Sequence, residues 1–465
     1  MSAPLIWIGV PTAFAGLFWL LRRRRYSTVI VLSVLVSLVL ALLAWQLPVG
    51  QTVTMGPWRF QIAPVFEFAG RRLVLENADR PALVLLYMIC AFWFAGSGAA
   101  SVYRMFNALG LFMVALLVAA LAVEPFLYAA LLIEMAVLVA VPTFAPPDKV
   151  FGSGVVRFLI FQTLAMPFVL LAGWALAQAE ANPTNTVLVT LAAVFLGLGF
   201  AFWLAVFPFY TWIPLLSEQS HPYVSGFVFL VFMTVNLLLG LKFLDGFGWL
   251  RADPAVFAGI RMVGVLMVGT AGAWAAFQRD LARLFGYAVI VETGFSLLAV
   301  SLGNRLGEQL FAAMLLPRVI AYGLWALALS ILTRECGTAR YADVEGVSNR
   351  MPFASAGLMI ASLTIAGLPL LPTFPIRQTL MEEVARQSLG AGLAVLIGSV
   401  GVLFSSFRAL AVLARGSLRP QAVKETRLQA ALLVIASAAL LLIGVFPRFF
   451  LPLMFPLFGA FPGLP

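Results

Sequence analysis

Charge is scarce in this 465-residue chain: 29 basic and 19 acidic residues make up 10% of it, against 63% hydrophobic residues. An ordinary soluble domain carries about a quarter charged residues, so that class is excluded. Two cysteines, Cys90 inside an apolar run and Cys336 in a polar stretch, give neither a disulfide framework nor metal-ligand spacing. With one histidine, His221, a His/Cys metal cluster is ruled out, and no glycine-rich phosphate loop or GxGxxG is present. The chain is therefore expected to hold no redox cofactor, nucleotide or metal of its own, and the energy it uses arrives from elsewhere. Lysine is nearly missing as well: Lys149, Lys242 and Lys424 stand alone among arginines. The net charge of +10 would suggest nucleic acid in a soluble protein. Here the basic residues sit in short gaps between apolar runs, where they read as topology signals, and no nucleic-acid partner is expected.

What the chain has is long hydrophobic runs. They fall near 3–21, 27–47, 82–99, 107–123, 126–143, 155–179, 187–207, 222–243, 256–277, 284–302, 308–332, 354–371, 389–413 and 428–446. Each is near the ~20 residues that span a bilayer as a helix. No alternating pattern recurs in ten-residue segments, so a barrel is not expected. The fold class is an all-α polytopic membrane protein with about fourteen transmembrane helices.

The first run is followed, not preceded, by Arg22, Arg23, Arg24 and Arg25, the wrong order for a cleavable signal, so it is expected to be retained with its N-terminus outside. Alternation then places Arg104, Lys149, Arg157, Arg279, Arg283, Arg334, Arg340, Arg350, Arg415, Arg419, Lys424 and Arg427 inside and both termini outside. The outside segment Pro48 to Arg80 reads as a small extended cap. The last stretch, broken by Pro452, Pro456, Pro462 and Pro465, is expected to lie along the surface or against a neighbour.

Two runs contain proline-rich interruptions, one through Pro208 and Pro214 and one through Gly367, Pro369 and Pro372. Such breaks free backbone groups that need protein or water partners. They fall in the seventh and twelfth spans, five apart, which is the arrangement expected from two inverted five-helix repeats. Four regions follow: 1–106 with the outside loop at 48–80, a first repeat over 107–243, a second over 256–413, and a C-terminal helix and apolar tail over 428–465. The plainer reading of either break alone is a proline kink.

The residues around these breaks resemble a known family. Pro208, Tyr210, Trp212, Ile213, Pro214 and Ser225 are similar to its broken seventh helix. Gln278, Asp280, Leu281, Ala282, Arg283, Gly286, Tyr287, Ala288 and Gly294 are similar to its cytoplasmic turn, and Asp343, Gly346, Met351, Pro352, Gly367, Pro369, Phe374 and Arg377 to the second broken helix and its approach. The family is that of the antiporter-like membrane subunits of respiratory complex I, shared with Mrp-type antiporters and membrane-bound hydrogenases. The resemblance implies a midplane chain of ionisable residues: Glu134 on the fifth helix, Arg318 and Arg377 at the eleventh- and twelfth-helix lysine positions. Trp203 and Thr234 stand where the seventh- and eighth-helix lysines are expected, and Ala282 replaces the turn lysine. Glu292 is an acid where the family has a neutral residue or histidine, and is expected to pair with one of the arginines. His221 titrates nearest neutral pH, with loop capping as the plainer reading.

The resemblance implies a subunit taking part in proton translocation coupled to electron transfer in a complex I-type NADH:quinone oxidoreductase or related redox complex of a prokaryotic inner membrane. It implies membrane and peripheral partner subunits that carry flavin or iron–sulfur clusters, lipid neighbours, and a proton or sodium ion as cargo. Two alternatives stand beside it: a subunit that keeps the fold without pumping, or a stand-alone cation/proton antiporter.

Overall fold

The computed structural model describes residues 2–55, 58–68, 70–144, 152–181, 186–415 and 425–464. Lys149, Arg419, Lys424 and Pro465, which enter the topology reading above, lie outside the described residues. Every one of the fourteen apolar runs coincides with a helix. Among the described residues, ten helices are long and apolar enough to cross a membrane, and four shorter apolar ones, Leu5–Leu21, Phe106–Ala122, Val187–Trp203 and Pro352–Ala366, occupy the other runs. The chain is a membrane protein.

We label the helices in chain order: α1 Leu5–Leu21, α2 Tyr26–Gln46, α3 Arg80–Ala100, α4 Phe106–Ala122, α5 Ala129–Phe144, α6 Ser153–Ala181, α7 Thr186–Trp203, α8 Trp212–Gln219, α9 Pro222–Gly246, α10 Pro254–Phe277, α11 Leu281–Val300, α12 Arg305–Cys336, α13 Pro352–Ala366, α14 Thr373–Gln387, α15 Leu389–Leu413 and α16 Arg427–Val445. Local chemistry fixes many starts. Proline opens α9, α10 and α13, where its missing N–H is not needed. Asp253, Asp280 and Asn304 accept first-turn amides of α10, α11 and α12, and Thr426 with Gln429 forms a capping box on α16.

Both breaks are present. α7 ends at Trp203, the backbone turns through Ala205 at φ 54°, and α8 resumes at Trp212. Pro208 lies in this connection. Pro214 does not break anything: it is the third residue of α8, where its missing N–H would have been unpaired anyway. α13 ends on Gly367 at φ 75°, Pro369 lies in the connection, and Pro372 is the residue before α14. Glycine is required at 367, since a Cβ there would also stand 2.8 Å from Arg377 Cδ.

The segment 48–80 is extended as expected, which qualifies the all-helical reading. β1 (Thr52–Met55) pairs antiparallel with β2 (Trp58–Gln61), and β3 (Val65–Phe68) with β4 (Arg71–Val74). β4 also pairs with β5 (Val123–Glu124), the residues just past α4. The C-terminal tail packs on this chain: Phe458 lies edge-on against Phe311 of α12, and the Gly463 amide donates to Asp245 Oδ1 at 2.6 Å.

Connections that the alternation puts on one side touch one another. Lys242 at the end of α9 pairs with Asp79 before α3 at 3.1 Å. On the opposite side the Leu281 amide donates to the Ala339 carbonyl, Arg334 to Ser101, and the Ala354 amide to Glu425. α9, α11 and α12 form the centre and are buried nearly all round, whereas α2, α6, α10, α15 and α16 keep an apolar face exposed. A charge carried by α11 or α12 is therefore surrounded by protein rather than lipid.

Candidate functional site

Three of the ionisable residues singled out above meet. Glu292 of α11 sits between Arg318 of α12 and Arg377 of α14: Arg318 Nε lies 3.1 Å from Glu292 Oε2, and Arg377 Nη2 lies 2.5 Å from Glu292 Oε1. All three side chains are at most 4% exposed. The expectation of one arginine partner is thus corrected: each carboxylate oxygen has its own. Arg318 Nη2 also donates to the Glu292 carbonyl at 3.1 Å and to Ser296 Oγ at 2.5 Å, and the Arg377 guanidinium lies 4.1 Å above the Phe295 ring. Ser296 and Phe295 were not singled out in the sequence, although their i+4 and i+3 spacing from Glu292 puts them beside it on the helix surface.

Arginine does not give up its proton in proteins, so neither arginine can hand one on. The carboxylate is the member of the group able to take one. Protonating it would remove the negative charge held between two fixed cations and change the field along α11 and α12 by a full unit. The arrangement is suited to sensing or shifting charge.

The remaining site residues lie apart from this triad. Glu134 is half-buried on α5 among the exposed Leu131, Met135 and Leu138. Its Oε1 accepts from Thr163 Oγ1 of α6 at 2.8 Å, and its Oε2 is buried with no hydrogen-bond partner among the described residues. Trp203 is fully buried edge-on to Phe200, and its carbonyl accepts from Gln162. Thr234 and Asn236 of α9 are also buried, and Thr234 Oγ1 and both Asn236 amide atoms have no partner among the described residues. At the two positions where the resemblance implies basic groups, the structure thus has a buried aromatic ring, Trp203, and a buried uncharged hydroxyl, Thr234.

His221, Ala282 and the turn before α11 belong to one face of the bundle. They line a cavity of about 970 Å³ with Ser217, Glu218, Asp280 and Arg283. Ser217 Oγ donates to the Ala282 carbonyl at 2.6 Å and Arg283 pairs with Glu218 at 2.7 Å. Burial pushes the Asp280 carboxyl up, against the downward pull of the Arg283 and Ala282 amides. His221 caps α9, its Nδ1 accepting the Tyr223 amide at 3.3 Å. Burial lowers its pKa to about 4, opposed by a hydrogen bond to the Ala100 backbone. The neutral ring is the folded form. Stability is therefore full above the unfolded value of about 6.5 and falls as pH drops from there toward about 4, where folded and unfolded forms titrate alike. Thermal unfolding between those pH values should show this loss, and His221→Asn, which keeps an acceptor for Tyr223, should flatten it.

Among the described residues there is no group of three His, Cys, Asp or Glu side chains able to hold a metal ion. The family described as "NADH:quinone oxidoreductase/Mrp antiporter, TM" matches residues 159–405, more than half of the chain. The chain belongs to this family. A relative from Acidithiobacillus ferrooxidans, NADH-quinone oxidoreductase subunit N, is 28% identical over 291 residues, covering 60% of this chain and 58% of the relative. The chain spans about half the length of the curated relatives it matches. Two solved structures share the fold over nearly their whole length. A chain of the Mrp complex from Dietzia sp. DQ12-45-1b gives a TM-score of 0.78 at 16% identity, covering 99% of this chain and 97% of that one. A chain of respiratory complex I from Thermus thermophilus gives 0.75 at 21% identity, covering 99% of both. The family match runs from α6 to α15 and so contains the whole Glu292, Arg318, Arg377 triad, while Glu134 lies outside it.

Proposed function

We propose that this chain is an antiporter-like membrane subunit of a complex I-type NADH:quinone oxidoreductase or a related redox assembly, taking part in proton translocation coupled to electron transfer. The observation that carries the reading is the buried carboxylate of Glu292 held between two arginines, one on α12 and one on α14, the second half of the broken span. A buried ionic group inside a membrane bundle is costly, and its usual use is to carry or sense charge. Movement of either arginine, driven by a neighbouring subunit, alters the charge felt by Glu292, and protonation of Glu292 alters the hold on both arginines. Glu134, one of whose oxygens has no partner among the described residues, is the carboxyl in the fifth span of the first half, and the residues 107–243 and 256–413 act as the two repeats. Arg318 and Arg377 keep a fixed positive charge. His221 lines the vestibule on the inside face. The chain sits in a prokaryotic inner membrane with both termini outside, and partner subunits carry the flavin and iron–sulfur centres.

A second reading, a subunit that keeps the fold without pumping, is favoured by one feature: Trp203 and Thr234 remove two basic groups rather than exchanging them for arginine. The assignment to a redox assembly is tested by tagging the chain, extracting membranes in a mild detergent and identifying what co-purifies. Stoichiometric flavin or iron–sulfur subunits are the expected result. Recovery of the chain alone, or with small transporter subunits only, would overturn it.

A further inference from the structure

The triad has two guanidinium groups and one carboxylate, so one positive charge is left uncompensated inside the bundle. A net charge in such a place needs a counter-charge or specific hydrogen bonds. Arg377 is 3% exposed, yet its Nε and Nη1 have no hydrogen-bond partner among the described residues. The Phe295 face offers it a ring quadrupole and no acceptor.

Arg377 also lines a groove of about 480 Å³ between α14 and α15. Gly367 and Phe374 stand at the inner end of the groove, beside the helix break, and Gln378 and Glu382 line it further along α14. α14 begins at that same inner end without a side-chain cap, and its helix dipole adds positive potential there.

We propose that the inner end of this groove binds a small monovalent inorganic anion of the halide class, which accepts from the open donors of Arg377. Charge sets the valence: one negative charge brings the cluster to neutrality, whereas a divalent anion would leave an opposite excess. The other walls are largely apolar, which suits a weakly hydrated ion. Glu382 is the acidic group in the groove. It is exposed and accepts from Gln378 Nε2 at 3.1 Å. Five residues from Arg377, it stands about 7.5 Å further along the helix, which keeps the anion at the arginine end. This inference is independent of whether the chain moves protons.

The test uses the full chain in lipid nanodiscs in gluconate buffer, titrated with chloride at constant ionic strength while the chlorine NMR line width is followed. A saturable broadening, competed by bromide, is expected for the parent. Loss of a charge-assisted donor in Arg377→Gln should weaken it about tenfold or more, and Glu382→Gln should keep it. Should Arg377→Gln not fold, bromide anomalous diffraction from parent crystals decides, with a peak expected against the Arg377 guanidinium. A line width without saturation, a saturable signal unaffected by Arg377→Gln or lost in Glu382→Gln, or no bromide peak at Arg377 would each overturn the proposal.

Discussion

Replacing Glu292 by Gln is expected to lower the stability of the chain by about 3–5 kcal/mol, the cost of removing one partner from a buried ion pair. The size follows from the charges. With Glu292 present, the cluster carries one excess positive charge; without it, Arg318 and Arg377 face each other with none of that charge offset. Arg377→Met has the opposite arithmetic, since it leaves one arginine and one carboxylate, and its cost should be clearly smaller. An exposed pair serves as the control: Arg415 and Glu345 are 3.1 Å apart but 72% and 43% exposed, and Arg415→Ala should change stability by less than about 1 kcal/mol. Unfolding in mixed detergent micelles would measure all three. A larger loss for Arg377→Met than for Glu292→Gln would contradict the charge assignment.

Gly398→Leu is expected to be nearly as damaging, about 3 kcal/mol, because the side chain would enter space held by backbone that cannot yield. α10 and α15 cross at Gly272, Gly398 and Gly401. A Cβ on Gly398 would press on the Val268 carbonyl, and one on Gly272 or Gly401 would press on the backbone of the opposite helix. Small residues at such a crossing let two membrane helices approach closely. Neighbouring Ile397 is 61% exposed, so Ile397→Ala should stay within about 0.5 kcal/mol in the same unfolding measurement. Equal losses for the two would mean that the glycine contact does not set the distance between the helices.

The helices were legible because their signal, apolar length, is local. Their ends were less so. The seventh apolar run extends to residue 207, four residues beyond the end of α7, since the side chains stay apolar while the backbone turns at Ala205. β5 left no signal because a two-residue strand has no alternation to show. Within the site, Glu292 and Arg318 lie inside apolar runs, where a charge is costly, whereas Arg377 falls between the runs 354–371 and 389–413 and was marked only by the family resemblance. That both arginines converge on one carboxylate depends on how α11, α12 and α14 pack, and no spacing along the chain encodes it. The axis expected to join Glu134 to the others is not seen as a bonded chain: its partner is Thr163, a residue with no distinguishing mark in the sequence.

If the Glu292, Arg318, Arg377 triad takes part in coupling, disturbing it changes how many protons cross per electron. The most direct measurement is the number of protons moved per electron by the assembled complex in proteoliposomes, comparing the parent with Arg377→Ala and Glu134→Gln at matched rates of electron transfer. A lower ratio is expected for Arg377→Ala, whose loss frees one oxygen of Glu292, and for Glu134→Gln, which removes a titratable carboxyl from the fifth span. Parent ratios in both variants would contradict it and leave this chain as a subunit that keeps the fold without pumping.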